Sequence, residues 1–74
     1  MNRELIKLIR QSLRMNQHQF SSKLGISRSQ LALVEAGYIE PSRELIEKIR
    51  QLVGDDYIQR VKNILVWGEE KVGS

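Results

Sequence analysis

Residues 16–37 constrain the fold of this chain more than any other stretch. Two short amphipathic segments meet at Gly25, and each begins with its own helix-capping signal. Asn16 is a good N-cap, and Gln19 three residues on completes a capping-box pair. Phe20 and Leu24, spaced i, i+4, mark a helix over residues 17–24. Gly25 supplies the positive φ that a sharp helix exit often requires. Ser27 with Gln30 reads as a second capping box. Leu31 and Val34 mark a helix over residues 28–36, and Gly37 ends it. Phe20, Leu24, Ile26, Leu31 and Val34 can then form one wedge of core. Ser21 is small where two crossing helices approach closely. Together these features predict a tight turn between helices crossing at roughly 90–120°.

Helical spacing extends through the remainder of the chain. Leu5, Ile9 and Leu13, widened by Ile6 and Leu8, predict a first helix over residues 2–14. After Tyr38-Ile39-Glu40-Pro41, Ser42 can cap a fourth helix carrying Leu45, Ile46, Ile49, Leu52 and Val53, stopped by Gly54. Asp56 with Gln59 opens a fifth, through Tyr57, Ile58, Val61, Ile64 and Leu65 to about residue 67. No strand-length alternation of apolar and polar residues occurs, so the fold is all-α with five helices. Residues 1–68 read as one domain and 69–74 as a flexible tail. Gly68 to Ser74 would equally suit a linker into a second domain.

A chain of 74 residues buries a thin core, about 60–65% of its unfolded surface. It has no Cys and one His, so no disulfide and few metal-ligand sets are available, and no cofactor is expected. No apolar run reaches the roughly 18–20 residues of a membrane span, which makes a soluble cytoplasmic protein the expectation. No phosphate-cradling loop or activated nucleophile is present, so catalytic residues are not expected. Residues 1–30 carry six Lys and Arg against Glu4 alone, a net +5. Residues 31–56 carry a net −3 and the remainder +1. A basic first half suits a polyanionic partner.

Arg10, Gln17, Phe20-Ser21, Leu24-Gly25-Ile26-Ser27, Leu31, Val34-Glu35, Gly37, Pro41-Ser42 and the apolar ladder Leu45-Ile46-Ile49-Leu52 resemble the phage-repressor and Cro (XRE-type) helix-turn-helix family. The resemblance covers about residues 3–54 and implies a lambda-repressor-like DNA-binding domain. Helices 2 and 3 would form the helix-turn-helix, and double-stranded DNA would be the partner. It implies base contacts from Arg28, Ser29, Ala32 and Leu33 on the outer face of helix 3. Arg28 can donate two hydrogen bonds to guanine O6 and N7; the alternative is a phosphate contact. Leu33 can meet a thymine methyl, or else complete the core or a protein contact. Phosphate contacts are implied for Asn16 and Gln17, at a helix N-terminus rich in free N–H groups. They are implied also for Ser27, Tyr38 and Arg43. Arg10 and Glu35 match positions that form an ion pair in part of the family. The chain departs from the family after Gly37, where Tyr38, Ile39 and Glu40 replace a basic clamp.

Helix 5 carries more apolar surface than one seam needs. A homodimer using Ile58, Leu65 and Trp67 is therefore expected. Alternatively, Trp67 folds back onto helix 1 or 4. These readings converge on a dimeric repressor of phage or mobile-element type reading a palindromic operator. Two alternatives stand beside it: an antitoxin with the same DNA-binding head, and a helix-turn-helix used for protein contacts.

Overall fold

A computed structural model describes the backbone of residues 1–73 and the side chains of residues 1–65. It contains α1 (Arg3–Ser12), α2 (Gln17–Leu24), α3 (Arg28–Ala36), α4 (Arg43–Val53) and α5 (Asp55–Gly73), with no strand among the described residues.

The first four helices all start on a side-chain cap. Asn2 accepts from the Leu5 N–H, Asn16 from Gln19, Ser27 from Gln30 and Ser42 from Leu45. Each cap satisfies a donor that the helix itself cannot, and is worth typically about 1 kcal/mol. Only Asn16 completes a full capping box, because the Gln19 side chain accepts in return from the Asn16 N–H. The box expected at Ser27 is half-formed: Ser27 Oγ accepts from the Gln30 N–H, and only that bond is present.

Helix 1 is shorter than its apolar spacing predicts. It stops at Ser12 because Arg14 turns left-handed, at φ 58°. The Arg14 N–H then donates to the Gln11 carbonyl (2.9 Å) and the Met15 N–H to the Arg10 carbonyl (3.3 Å). These two bonds close the helix end as a Schellman motif, with arginine where glycine is usual. Helix 5 begins at Asp55, directly after Gly54, whose carbonyl accepts from the Ile58 N–H. Asp56 therefore lies inside the first turn and does not cap it. The helix continues through Gly73, past its expected end at residue 67. A mid-helix glycine costs about 1 kcal/mol relative to alanine but need not stop a helix, and Glu69, Glu70 and Lys71 favour helix beyond it.

The core gathers Leu5, Ile6 and Ile9 from α1, Phe20 and Leu24 from α2, Leu31 and Val34 from α3, Leu45 and Ile49 from α4, and Val61 from α5. Phe20, at the centre, is fully buried. Ser21 is the one buried polar residue among those described. It is satisfied by donating from Oγ to the His18 carbonyl at 3.0 Å, and so lets α2 and α3 approach. Gly25 joins them at φ 74°, a conformation that costs an L-residue about 1–2 kcal/mol. Helix α1 packs on α3 and α5, while α4 packs on α2 and α5. The result holds α3 by one face and leaves the other bare.

Candidate nucleic-acid interface

The two faces of α3 follow from its sequence. At about 100° per residue, Arg28, Ser29, Ala32, Leu33 and Ala36 fall within an arc of about 140°. Leu31 and Val34 point the opposite way and are buried. Arg28, Ser29 and Leu33 are exposed, Leu33 by 43%. Ala32, expected on the same outer face, is half-buried. Its methyl is shorter than the flanking Arg28 and Leu33 side chains, so it forms the floor of that face. Among the described residues, Arg28 makes no ion pair, and its guanidinium projects from the first residue of the helix.

Three helices meet at Glu35. The Arg10 guanidinium donates twice to its carboxylate, Nε to Oε2 at 2.8 Å and Nη2 to Oε1 at 3.0 Å. The third Arg10 donor, Nη1, reaches the Met15 carbonyl at 2.9 Å. Both side chains are largely removed from water, at 12% and 4% exposure. The pair therefore ties α1 to the last turn of α3, as the resemblance implied. Gln17 adds a third strut, donating from Nε2 to Glu35 Oε1 at 3.3 Å.

That strut changes the expected role of Gln17. Its side-chain amide points inward at Glu35 and is not held out as a grip on phosphate. What α2 offers outward is main chain, because the first-turn N–H groups of Gln17 and His18 precede any intrahelical acceptor. Asn16 is likewise committed through Oδ1 to its capping bond with the Gln19 N–H at 2.7 Å. Ser27 accepts in its own cap, which leaves its hydroxyl proton able to donate. Among the described residues, Tyr38 is the most exposed large hydrophobic, at 80%. Ile39 and Glu40 beside it are also exposed, and Arg43 opens α4 on an exposed position. Of the positions expected to contact DNA, then, Arg28, Ser29, Leu33, Ser27, Tyr38 and Arg43 are accessible, Asn16 is exposed but engaged in its cap, and Gln17 and Ala32 are partly withdrawn.

Arg3 is a contact the sequence reading missed. Its Nη1 donates to the Ala36 carbonyl at 3.0 Å, across the C-terminal end of α3. Gly37 makes room for it: a Cβ there would collide with Arg3 Nη1. Arg3 also donates from Nε to Glu4 Oε1 at 3.3 Å. The Glu4 carboxyl is held below its ordinary value, first by a main-chain N–H bond in the first turn of α1 and then by Arg3. One sequence signal existed: α3 has no basic residue in its last turn.

The residues expected to pair two subunits divide. Ile58 is half-buried and packs against the core of its own protomer, so it is largely spent there. It lies one turn before buried Val61, on the face that α5 turns to α1 and α4. Leu65 is half-buried, and the Trp67 side chain lies outside those described. Among the described residues, the most exposed apolar side chain of α5 is instead Ile64, at 65%. Tyr57 hydrogen-bonds Ser12 through its hydroxyl and so ties α5 to α1.

No group of acidic, His or Cys residues among those described could hold a metal ion, and none of the described helices is long and apolar enough to cross a membrane. A family model described as helix-turn-helix matches residues 6–54, about two-thirds of the chain. No curated protein and no solved structure shows a significant match.

Proposed function

This chain belongs to the phage-repressor and Cro (XRE-type) helix-turn-helix family, a family of DNA-binding regulators, and we propose that it acts as a dimeric repressor reading a palindromic operator. The observation that carries this reading is the division of α3. Leu31, Val34 and Glu35 lock one face to α1 and α2, and Arg28, Ser29 and Leu33 stand clear on the other. A helix fixed so firmly from behind can enter the major groove without losing its aim.

In this proposal Arg28 reads a guanine through O6 and N7, and Leu33 meets a thymine methyl. Ser29 bonds a base or a phosphate over the floor made by Ala32. The first-turn amides of Gln17 and His18, capped by Asn16, receive one phosphate. Ser27, Tyr38 and Arg43 receive others. Glu40 repels the backbone, so one subunit alone binds weakly. Two subunits would set their reading helices about 34 Å apart, one turn of DNA. Residues 1–68 serve as the DNA-binding unit. The family's chemistry is binding, and no catalytic step is proposed.

Selection of bound duplexes from a random library, followed by salt titration, tests this. The wild type should prefer one sequence at moderate salt. Arg28→Ala should lose about tenfold or more on that sequence, at roughly 1–3 kcal/mol per bidentate pair, and little on random DNA. No preferred sequence, together with a neutral Arg28→Ala, would sink the reading.

A second reading keeps the same head and adds a protein partner, as in an antitoxin. The exposed Ile64 supports it as well as it supports a second copy. Co-purification from the native host separates the two.

A further inference from the structure

We propose that Arg3 is a positioning residue for DNA reading: its bond to the Ala36 carbonyl fixes the angle at which α3 presents Arg28, Ser29 and Leu33. The inference rests on the DNA-binding reading above.

Helices α1, α2 and α4 each carry a basic residue in the last turn, namely Arg10, Lys23 and Arg50. Helix α3 carries none. Its unpaired carbonyls and partial negative charge therefore need a cation from elsewhere. Arg3 supplies it from a residue 33 positions earlier in the chain, at 3.0 Å.

The placement matters beyond capping. Arg3 and Arg10 are seven residues apart, two turns along one face of α1, and so about 10 Å from each other. They hold adjacent residues of α3, Arg10 by the Glu35 carboxylate and Arg3 by the Ala36 carbonyl. One such contact is a pivot, about which α3 can still swing against α1. Two contacts spaced along α1 remove that freedom. The same turn carries Leu33, whose carbonyl accepts from the Tyr38 N–H at 3.0 Å and the Ile39 N–H at 3.4 Å. A loosened α3 end would thus move Leu33 and Tyr38 together. Gly37 completes the device, since any side chain there would occupy the guanidinium's place.

The test compares wild type, Arg3→Ala and Arg3→Lys at a temperature where circular dichroism reports all three as folded. Affinity is measured for the library-selected duplex and for a scrambled duplex across a salt series. Exchange of the Tyr38 and Ile39 amides is followed by NMR. Arg3→Ala should weaken binding to the selected duplex about three- to tenfold, as loss of one charge-assisted hydrogen bond at a partly exposed site implies. The scrambled duplex should change by less than about twofold, with the salt slope unaltered and the two amides exchanging faster. Arg3→Lys, which keeps the charge and a donor, should recover most of the loss. Equal losses on both duplexes with a salt slope smaller by about one would make Arg3 a phosphate contact and overturn the proposal. So would unchanged affinity accompanied only by a lower melting temperature. If the wild type itself prefers no duplex, the DNA reading falls and this proposal with it. If the wild-type preference survives intact in Arg3→Ala, this proposal alone falls.

Discussion

Glu35 accepts three hydrogen bonds from two helices, two from Arg10 and one from Gln17, while only 4% of its side chain remains exposed. Such an ion is tolerated because its partners follow it into the interior. Removing one partner therefore costs more than the pair contributes, roughly 3–5 kcal/mol. Arg10→Ala should lose that much in urea unfolding, a large fraction of a small domain's stability. Arg10→Met combined with Glu35→Leu should recover most of it, since no charge is then left buried. A double variant as unstable as the single one would show that the pair itself holds the helices. Arg14 makes the opposite case. It sits at φ 58° where glycine closes a helix without strain. Arg14→Gly should raise stability by about 0.5–1 kcal/mol, the left-handed penalty less the glycine's extra chain entropy. A lower urea midpoint would mean that the Arg14 side chain makes up the difference. The Arg10–Glu35 pair was legible from the resemblance, but the Gln17 strut was not, because its inward turn depends on where Glu35 comes to lie.

Between α4 and α5 the chain turns on Gly54, and Arg50 spans the corner. It donates to Asp55 at 2.9 and 3.2 Å and to Glu47 at 2.9 Å. Asp55 is held below its ordinary value by the bond from Arg50, and Arg50 is raised, chiefly by Asp55. A depressed carboxyl stabilises the fold above its unfolded pKa and releases that contribution as pH falls through the folded one. Melting temperature should therefore fall as pH drops below the ordinary carboxylate range, and Asp55→Asn should make the fall shallower. Both groups are solvated, so the change should be small and screened by salt. An identical acid profile for the two proteins would mean that the Arg50–Asp55 pair contributes nothing to acid stability. At this scale the sequence was largely readable. The expected bounds of α2 and α3 match the observed Gln17–Leu24 and Arg28–Ala36, because caps and glycines act locally. The ends of α1 and α5 were not readable. An arginine in a left-handed turn and a glycine inside a helix both contradict local preference.

For the molecule as a whole, the proposed pairing of two copies turns on the exposed surface of α5. Ile64 is 65% exposed on a helix whose earlier apolar residues Tyr57, Ile58 and Val61 pack on the core. If α5 pairs two copies, Ile64→Lys should yield a monomer by analytical ultracentrifugation, with helix content kept and operator affinity sharply reduced. An unchanged sedimentation coefficient, with wild type dimeric, would move the interface elsewhere, and Tyr38 and Ile39 on the α3–α4 connection would be the next surface to test.

The sequence by itself determined five helices, the turn at Gly25, the inward set of Leu31 and Val34 and the outward set led by Arg28. Helical period and capping are properties of neighbours a few residues apart, and need no knowledge of the whole. Only the tertiary structure decided which side chains were free to act. It withdrew Gln17 and Ala32, spent Ile58 on the core and brought Arg3 to the end of α3. Each of these joins residues distant in the chain, and a side chain's availability is fixed by whatever packs beside it.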